Sequence, residues 1–138
     1  MIVHSLLQQL EDDGFGTVSQ DLQIGTLPLD DKSNPRNGIA ITLRGLPVNR
    51  LDVSQQAVDF YVRNKNPLVA ANTAQEILDY LMESYTNVCD LPSLDGITTD
   101  TYSNVTITPT SSVEYVGVDD NGGTSFVVSG EVRYRKNN

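Results

Sequence analysis

Ser5 and His4 put a nucleophile beside a base, and His4 is the only histidine of the chain. A nucleophilic site needs the two groups within hydrogen-bond reach, and neighbours on a helix point apart. His4 is therefore expected to serve packing or the surface. Glu11-Asp12-Asp13 and Asp119-Asp120-Asn121-Gly122-Gly123 offer oxygens to a hard cation. Neither has the alternating ligands and distant bidentate Glu of a calcium loop. The first reads as a solvated charge run. The second reads as a type I′ hairpin turn centred on Asn-Gly. Gly14-Phe15-Gly16-Thr17 supplies two glycines without the following helix or Lys of a phosphate cradle.

Cys89 stands alone, which excludes an internal disulfide or a cysteine-rich zinc site. With no His or basic neighbour to activate it, it is expected in the core or just under the surface. Asp59 and Glu76, on a strand and a helix, are the carboxylates a hydrolase would bring together. Asp59 falls on the polar phase of its strand and needs no such role. The sequon Asn104-Val105-Thr106 has meaning only in a secreted chain. This inventory points to no enzyme, no metal and no cofactor.

Any site must be positioned by the elements around these residues. Ile2, Val3, Leu6, Leu7 and Leu10 recur at helical spacing with Gly14 as a stop, predicting a helix over 2–12. Thr17–Ile24 reads as a short strand with Val18, Leu22 and Ile24 on one face. Gly25–Gly38 has loop composition, and a loop this long in a compact domain is usually functional or disordered. Strands follow over 39–44 and 55–63, separated by a second loop, Gly45–Val53, which carries Pro47 and Arg50. Asn66-Pro67 caps a helix over 67–86, lined by Ala70, Ala74, Ile77, Leu78, Leu81 and Tyr85. Val105 and Ile107 begin another strand, and Val113–Val118 forms a further one. Ser125–Arg135 alternates Phe126, Val128, Gly130, Val132 and Tyr134 against a polar face, with Val127 as the apolar exception. The expected fold is one α+β domain, 1–138, with a mainly antiparallel sheet. An N-terminal helix and a longer central helix pack on one face of that sheet.

The chain has 138 residues, enough for one respectable core, and a formal net charge of -9 from 18 acidic and 9 basic side chains. Such a surface repels phosphate, and the one dense basic cluster, Arg133, Arg135 and Lys136, is too small for a DNA-binding domain. Met1–Leu10 lacks the basic start and apolar length of a signal peptide, and no apolar run approaches the roughly 20 residues that span a bilayer. Synthesis in the cytoplasm, without a membrane partner, is the expectation.

Three segments occur in an order that carries more information than their composition. They are Leu10-Glu11-Asp12-Asp13-Gly14-Phe15-Gly16-Thr17 behind the first helix, Ile24-Gly25-Thr26-Leu27-Pro28, and Asp59-Phe60-Tyr61-Val62-Arg63. The helix after Asn66-Pro67 and a last strand ending in Tyr134-Arg135-Lys136-Asn137-Asn138 complete the plan. Over nearly its whole length the chain resembles the tail terminator family of long-tailed bacteriophages, also called minor capsid or tail completion proteins.

The resemblance implies a structural virion protein of the tail and neck, assembled in the host cytoplasm. Its subunits close a hexameric ring on the head-proximal end of the tail tube. The ring ends tube polymerisation and docks to the head. The implied partners are further copies of itself, the tail tube protein and a head-completion (connector) protein, with DNA sliding through the lumen without specific binding. A head-completion protein or a tail tube subunit is the alternative. Ring closure needs two different patches that meet head to tail, and the sheet edges and the two loops, Gly25–Gly38 and Gly45–Val53, are expected to supply much of that contact. Leu27, Pro28 and Leu29, apolar within a polar loop, are the first anchor residues to consider, against the alternative that they tuck back on their own core. Arg44, Arg50, Arg63 and Arg133 are the arginines expected to offer charge-assisted contacts if they are not simply solvated.

Overall fold

A computed structural model of the chain describes residues 2–25, 27, 35–50, 53–84, 89–93 and 96–137, with the backbone alone described at 46, 49, 50, 84 and 89. Helix α1 spans Ile2–Asp12, and its apolar stripe Ile2, Val3, Leu6, Leu7 and Leu10 is buried. It ends at Gly14, whose φ is 87°. The Phe15 N–H donates to the Leu10 carbonyl at 2.9 Å and the Gly14 N–H to that of Glu11 at 3.1 Å. This paired closure satisfies the last carbonyls of the helix and needs a residue that tolerates positive φ.

The strands are β1 (Leu22–Ile24), β2 (Gly38–Arg50), β3 (Val53–Asn64), β4 (Cys89–Leu91), β5 (Tyr102–Pro109), β6 (Glu114–Val118) and β7 (Thr124–Lys136). Helix α2, Pro67–Ser84, lies between β3 and β4. The Asn66 side chain caps it, its Oδ1 accepting from the Leu68 N–H at 3.0 Å. The sheet runs β1-β2-β3-β7-β5-β4, with β6 also paired to β7. β1 joins β2 in parallel, and the other ladders are antiparallel, so the sheet is mixed rather than purely antiparallel.

One face of this sheet is the core. Ile39, Ile41 and Leu43 lie opposite Val62, Phe60 and Val58, which lie opposite Phe126, Val128 and Gly130. The two helices close over this face. Leu6, Leu10, Ala74, Ile77 and Leu81 join Ile41, Phe60, Val128 and Ile107 in a single buried cluster. Each large aliphatic or aromatic side chain so buried contributes about 1.5–3 kcal/mol. The other face carries the odd-numbered residues of β7 and their neighbours, in rows such as Thr42–Asp59–Ser129 and Val48–Gln55–Arg133.

The second expected loop, Gly45–Val53, is not a loop where it is described. β2 continues through Gly45 and Pro47 to Arg50, and pairing with β3 resumes at Val48 opposite Gln55 after an irregularity between Arg44 and Val48. A bulge accommodates Pro47, which has no N–H for a ladder. The buried Gln56 side chain occupies the gap, donating from Nε2 to the carbonyls of Gly45 at 2.9 Å and Arg44 at 3.2 Å. The Thr17–Ile24 strand is likewise shorter than expected. A turn at Ser19, with φ at 71°, leaves Val18 in an isolated bridge and only Leu22–Ile24 as strand. Gly38 belongs to β2, while Thr26 and residues 28–34 of the first expected loop lie outside the described residues.

Candidate assembly surface

Arg63, expected at the surface, is buried, with only 4% of its side chain exposed. It sits on the outer phase of β3, and the turn after β6 folds back over it. Its Nε donates to Asp119 Oδ2 at 2.5 Å, its Nη2 to Oδ1 at 3.2 Å and its Nη1 to the Pro35 carbonyl at 2.7 Å. Asp119 Oδ1 also accepts from the N–H groups of Asn121 and Gly123, each at 3.0 Å. The Arg63 hydrogen bond, helped by those two amides and opposed by partial burial, holds the Asp119 carboxyl well below the usual carboxylate range. Gly123 lies against the guanidinium so closely that a Cβ there would overlap it. This constellation is a latch between β3, the chain at Pro35 and the β6–β7 hairpin. Arg63 is thus engaged within its own chain rather than free at the surface.

The turn that carries Asp119 differs from the expected type I′. Gly122 has φ at 80° while Asn121 stays at negative φ, and the Gly122 N–H donates to the Asp119 carbonyl at 3.0 Å. That is a three-residue loop with a glycine bulge. The reason is Asp119 itself, whose carboxylate accepts from the turn's own amides and stabilises the longer form.

Arg44 is half exposed and bonds Asp59 Oδ1 at 3.1 Å, and the Ser129 hydroxyl donates to the same oxygen at 2.6 Å. Asp59 is thereby buried on the outer face. Glu76 is exposed on α2, which covers the core face. The sheet separates the two carboxylates, so this pair cannot share a hydrolytic site. Ser5 and His4 are also divided: Ser5 is fully buried, and His4 is half-buried at a small cleft with Leu7, Val18 and Ile24.

The acidic run at the end of α1 is not merely solvated. Glu11 accepts from the Val18 N–H at 2.7 Å, and Asp13 accepts from the Tyr80 hydroxyl at 2.5 Å, tying α1 to the following turn and to α2. Among the described residues no three His, Cys, Asp or Glu side chains gather as a metal site requires. No described helix is long and apolar enough to cross a membrane.

Arg133 is 62% exposed, with Glu131 at 3.6 Å, a solvated pair of little energy. Leu27 is half-buried. Pro28, Leu29 and the side chain of Arg50 lie outside the described residues, as does the side chain of Cys89.

The sheet edges and the Gly45–Val53 segment, expected at a ring contact, carry exposed apolar side chains that the sequence did not single out individually. Tyr115, Val116 and Val118 of β6 are exposed, although Tyr115 also makes an edge contact with Phe126 at 5.6 Å between centroids. Val48 and Val53 are exposed on the β2–β3 hairpin. With Gln55 and Arg133 they line a cleft of about 270 Å³. β6 pairs with β7 alone among the described strands, so it is an edge strand with apolar side chains. Such edges invite pairing unless something covers them. Comparison with protein-family models and with curated proteins finds no match for this chain.

Proposed function

We propose that this chain is the subunit of a tail terminator ring in a long-tailed bacteriophage. In this reading six copies close on the head-proximal end of the tail tube, end its growth and present a docking face to a head-completion protein. The observation that carries the proposal is a pair of exposed apolar patches, one at an open sheet edge and one at the β2–β3 hairpin. Val116 and Val118 with Tyr115, and Val48 with Val53, are exposed in groups at these two places, whereas Leu68, Val69, Met82 and Ile97 are exposed elsewhere. A ring subunit needs two such patches. The ordered resemblance across 1–138 supplies the assembly, and the formal charge of -9 suits a lumen through which DNA must slide without adhering.

The test is to add the purified protein to growing tail tubes and measure their length by electron microscopy. Termination at the tube end with ring-shaped caps is the expected result. A strict monomer that leaves tube growth unchanged refutes the proposal. The related reading is a tail tube subunit, in which the turn-rich Gly25–Gly38 stretch would be the loop that reaches the next ring. Long polymers from this protein alone are the outcome that supports that alternative.

A further inference from the structure

The two apolar patches sit at opposite ends of β7 and differ in charge. β6 pairs with residues 124–127 and carries exposed Glu114, with exposed Asp120 in the turn beyond. The cleft of Val48, Val53 and Gln55 is rimmed by Arg133, next to exposed Arg135 and Lys136. From Val127 to Arg133 the strand advances roughly 20 Å, six steps of about 3.3 Å. Arg133 and Arg135 therefore stand at one end, with Lys136 beyond them paired to Asp100 at 3.5 Å, and an acidic apolar edge stands at the other.

Resting on the ring reading above, we propose that these patches are the two halves of one head-to-tail contact between copies of this chain. β6 of one subunit seats in the Val48–Val53–Arg133 cleft of the next. Copies that each carry a net charge of -9 repel one another, so a stable contact must spend the scarce basic surface on an acidic partner. On the outer face, Arg63 is consumed by its latch and Arg44 by Asp59. Arg133 lies 3.6 Å from half-buried Glu131 and can exchange it for Glu114 of the incoming strand. Val116, at the bulge of β6, then covers Val48 and Val53. Pairing β6 with a second β6 is disfavoured, because antiparallel registry brings Glu114 of each copy beside the Asp119–Asp120 turn of the other. Two distinct patches separated along the sheet are what a closing, heterologous contact requires.

The experiment uses the full chain and two variants, Val116→Asp on the edge and Val48→Asp in the cleft. Both side chains are 53% exposed, so the fold should tolerate them, and unchanged circular dichroism and melting verify this. Wild type is expected to self-associate by mass photometry and sedimentation, and each variant alone to be monomeric. An equimolar mixture should form dimers and stop there, since only one good edge and one good cleft remain. Arg133→Glu should weaken association at least tenfold, and Glu114→Lys in the same chain should restore it.

A mixture that stays monomeric overturns the proposal. So does a Val48→Asp variant that still associates, or wild type that remains monomeric up to about 1 mM, a weak limit for any specific contact. Tube-length measurements on the same proteins separate this contact from the function. Complementation without tube termination leaves the contact standing and removes the terminator reading. Termination by wild type and both variants does the reverse.

Discussion

Replacing Asp119 by Ala removes one side of the latch and leaves the other in place. The Arg63 side chain, 4% exposed, then keeps a full charge with only the Pro35 carbonyl as acceptor. Breaking a buried ion pair by deleting one partner costs about 3–5 kcal/mol. Asp119 is 33% exposed, so water can enter where its carboxylate stood and recover part of that loss. The expected destabilisation is about 2–3 kcal/mol. It should appear in urea unfolding as a lower midpoint at unchanged slope. Arg63→Met combined with Asp119→Ala should recover most of the loss, because an apolar pair leaves no charge stranded.

The acid limb gives an independent check. A carboxyl held below its usual value of 3.8 in the fold contributes stability that is complete above that value. As pH falls below it, the unfolded chain takes up the proton first and the contribution disappears. Wild type should therefore lose more stability than Asp119→Ala between roughly pH 5 and pH 2. A single variant within about 0.5 kcal/mol of wild type, the range of ordinary surface changes, would refute the reasoning. Equal loss in the double variant would do so as well.

Two further outcomes are expected. Gly38→Ala should destabilise by about 1–3 kcal/mol, read as a lower melting temperature, since its Cβ would collide with the Asp21 backbone carbonyl at the junction of β1 and β2. Tyr102 stacks edge-on against Tyr134 at 5.3 Å, and burial, with smaller contributions from Asp100 and Tyr134, pushes its hydroxyl up to about 12. Ultraviolet titration should show a tyrosine with a midpoint near 12, and stability that is complete below pH 10.0 should decline as pH rises towards that midpoint.

Local chemistry was legible in the sequence. The period of α1, the Gly14 stop and the Asn66 cap appear as expected, and so does the alternation of Phe126, Val128, Val132 and Tyr134, because each depends on residues within a few positions. What was not legible depends on distant partners. Arg63 reads as a surface residue until Asp119, 56 positions away, folds over it. β2 reads as ending at Arg44 because Gly45 and Pro47 are loop residues by type. It continues because Gln56, on another strand, bonds the carbonyls that the bulge frees. β4 is three residues long and next to Pro92, too short for any periodicity. The parallel pairing of β1 is set by its approach to β2, where Gly38 admits the Asp21 carbonyl. Of the proposed contact residues, Arg133 could be named from sequence. Val48 and Val53 could be placed only within the Gly45–Val53 segment expected at the contact, and Val116 not at all, since an apolar residue in a strand is ordinarily buried.

β7 bonds β3 along one side and both β5 and β6 along the other, and it follows all of them in the chain. A ribosome releases this strand after every partner that awaits it. Until then β3 and β5 have no common neighbour, and the hydrophobic side of the half-made sheet stays open to other nascent chains. Folding is thereby postponed to the completion of residues 124–136, with loop-closure entropy to overcome and a slow, aggregation-exposed interval before it. Yield in recombinant expression should depend more on the integrity of that last stretch than on any other of similar length.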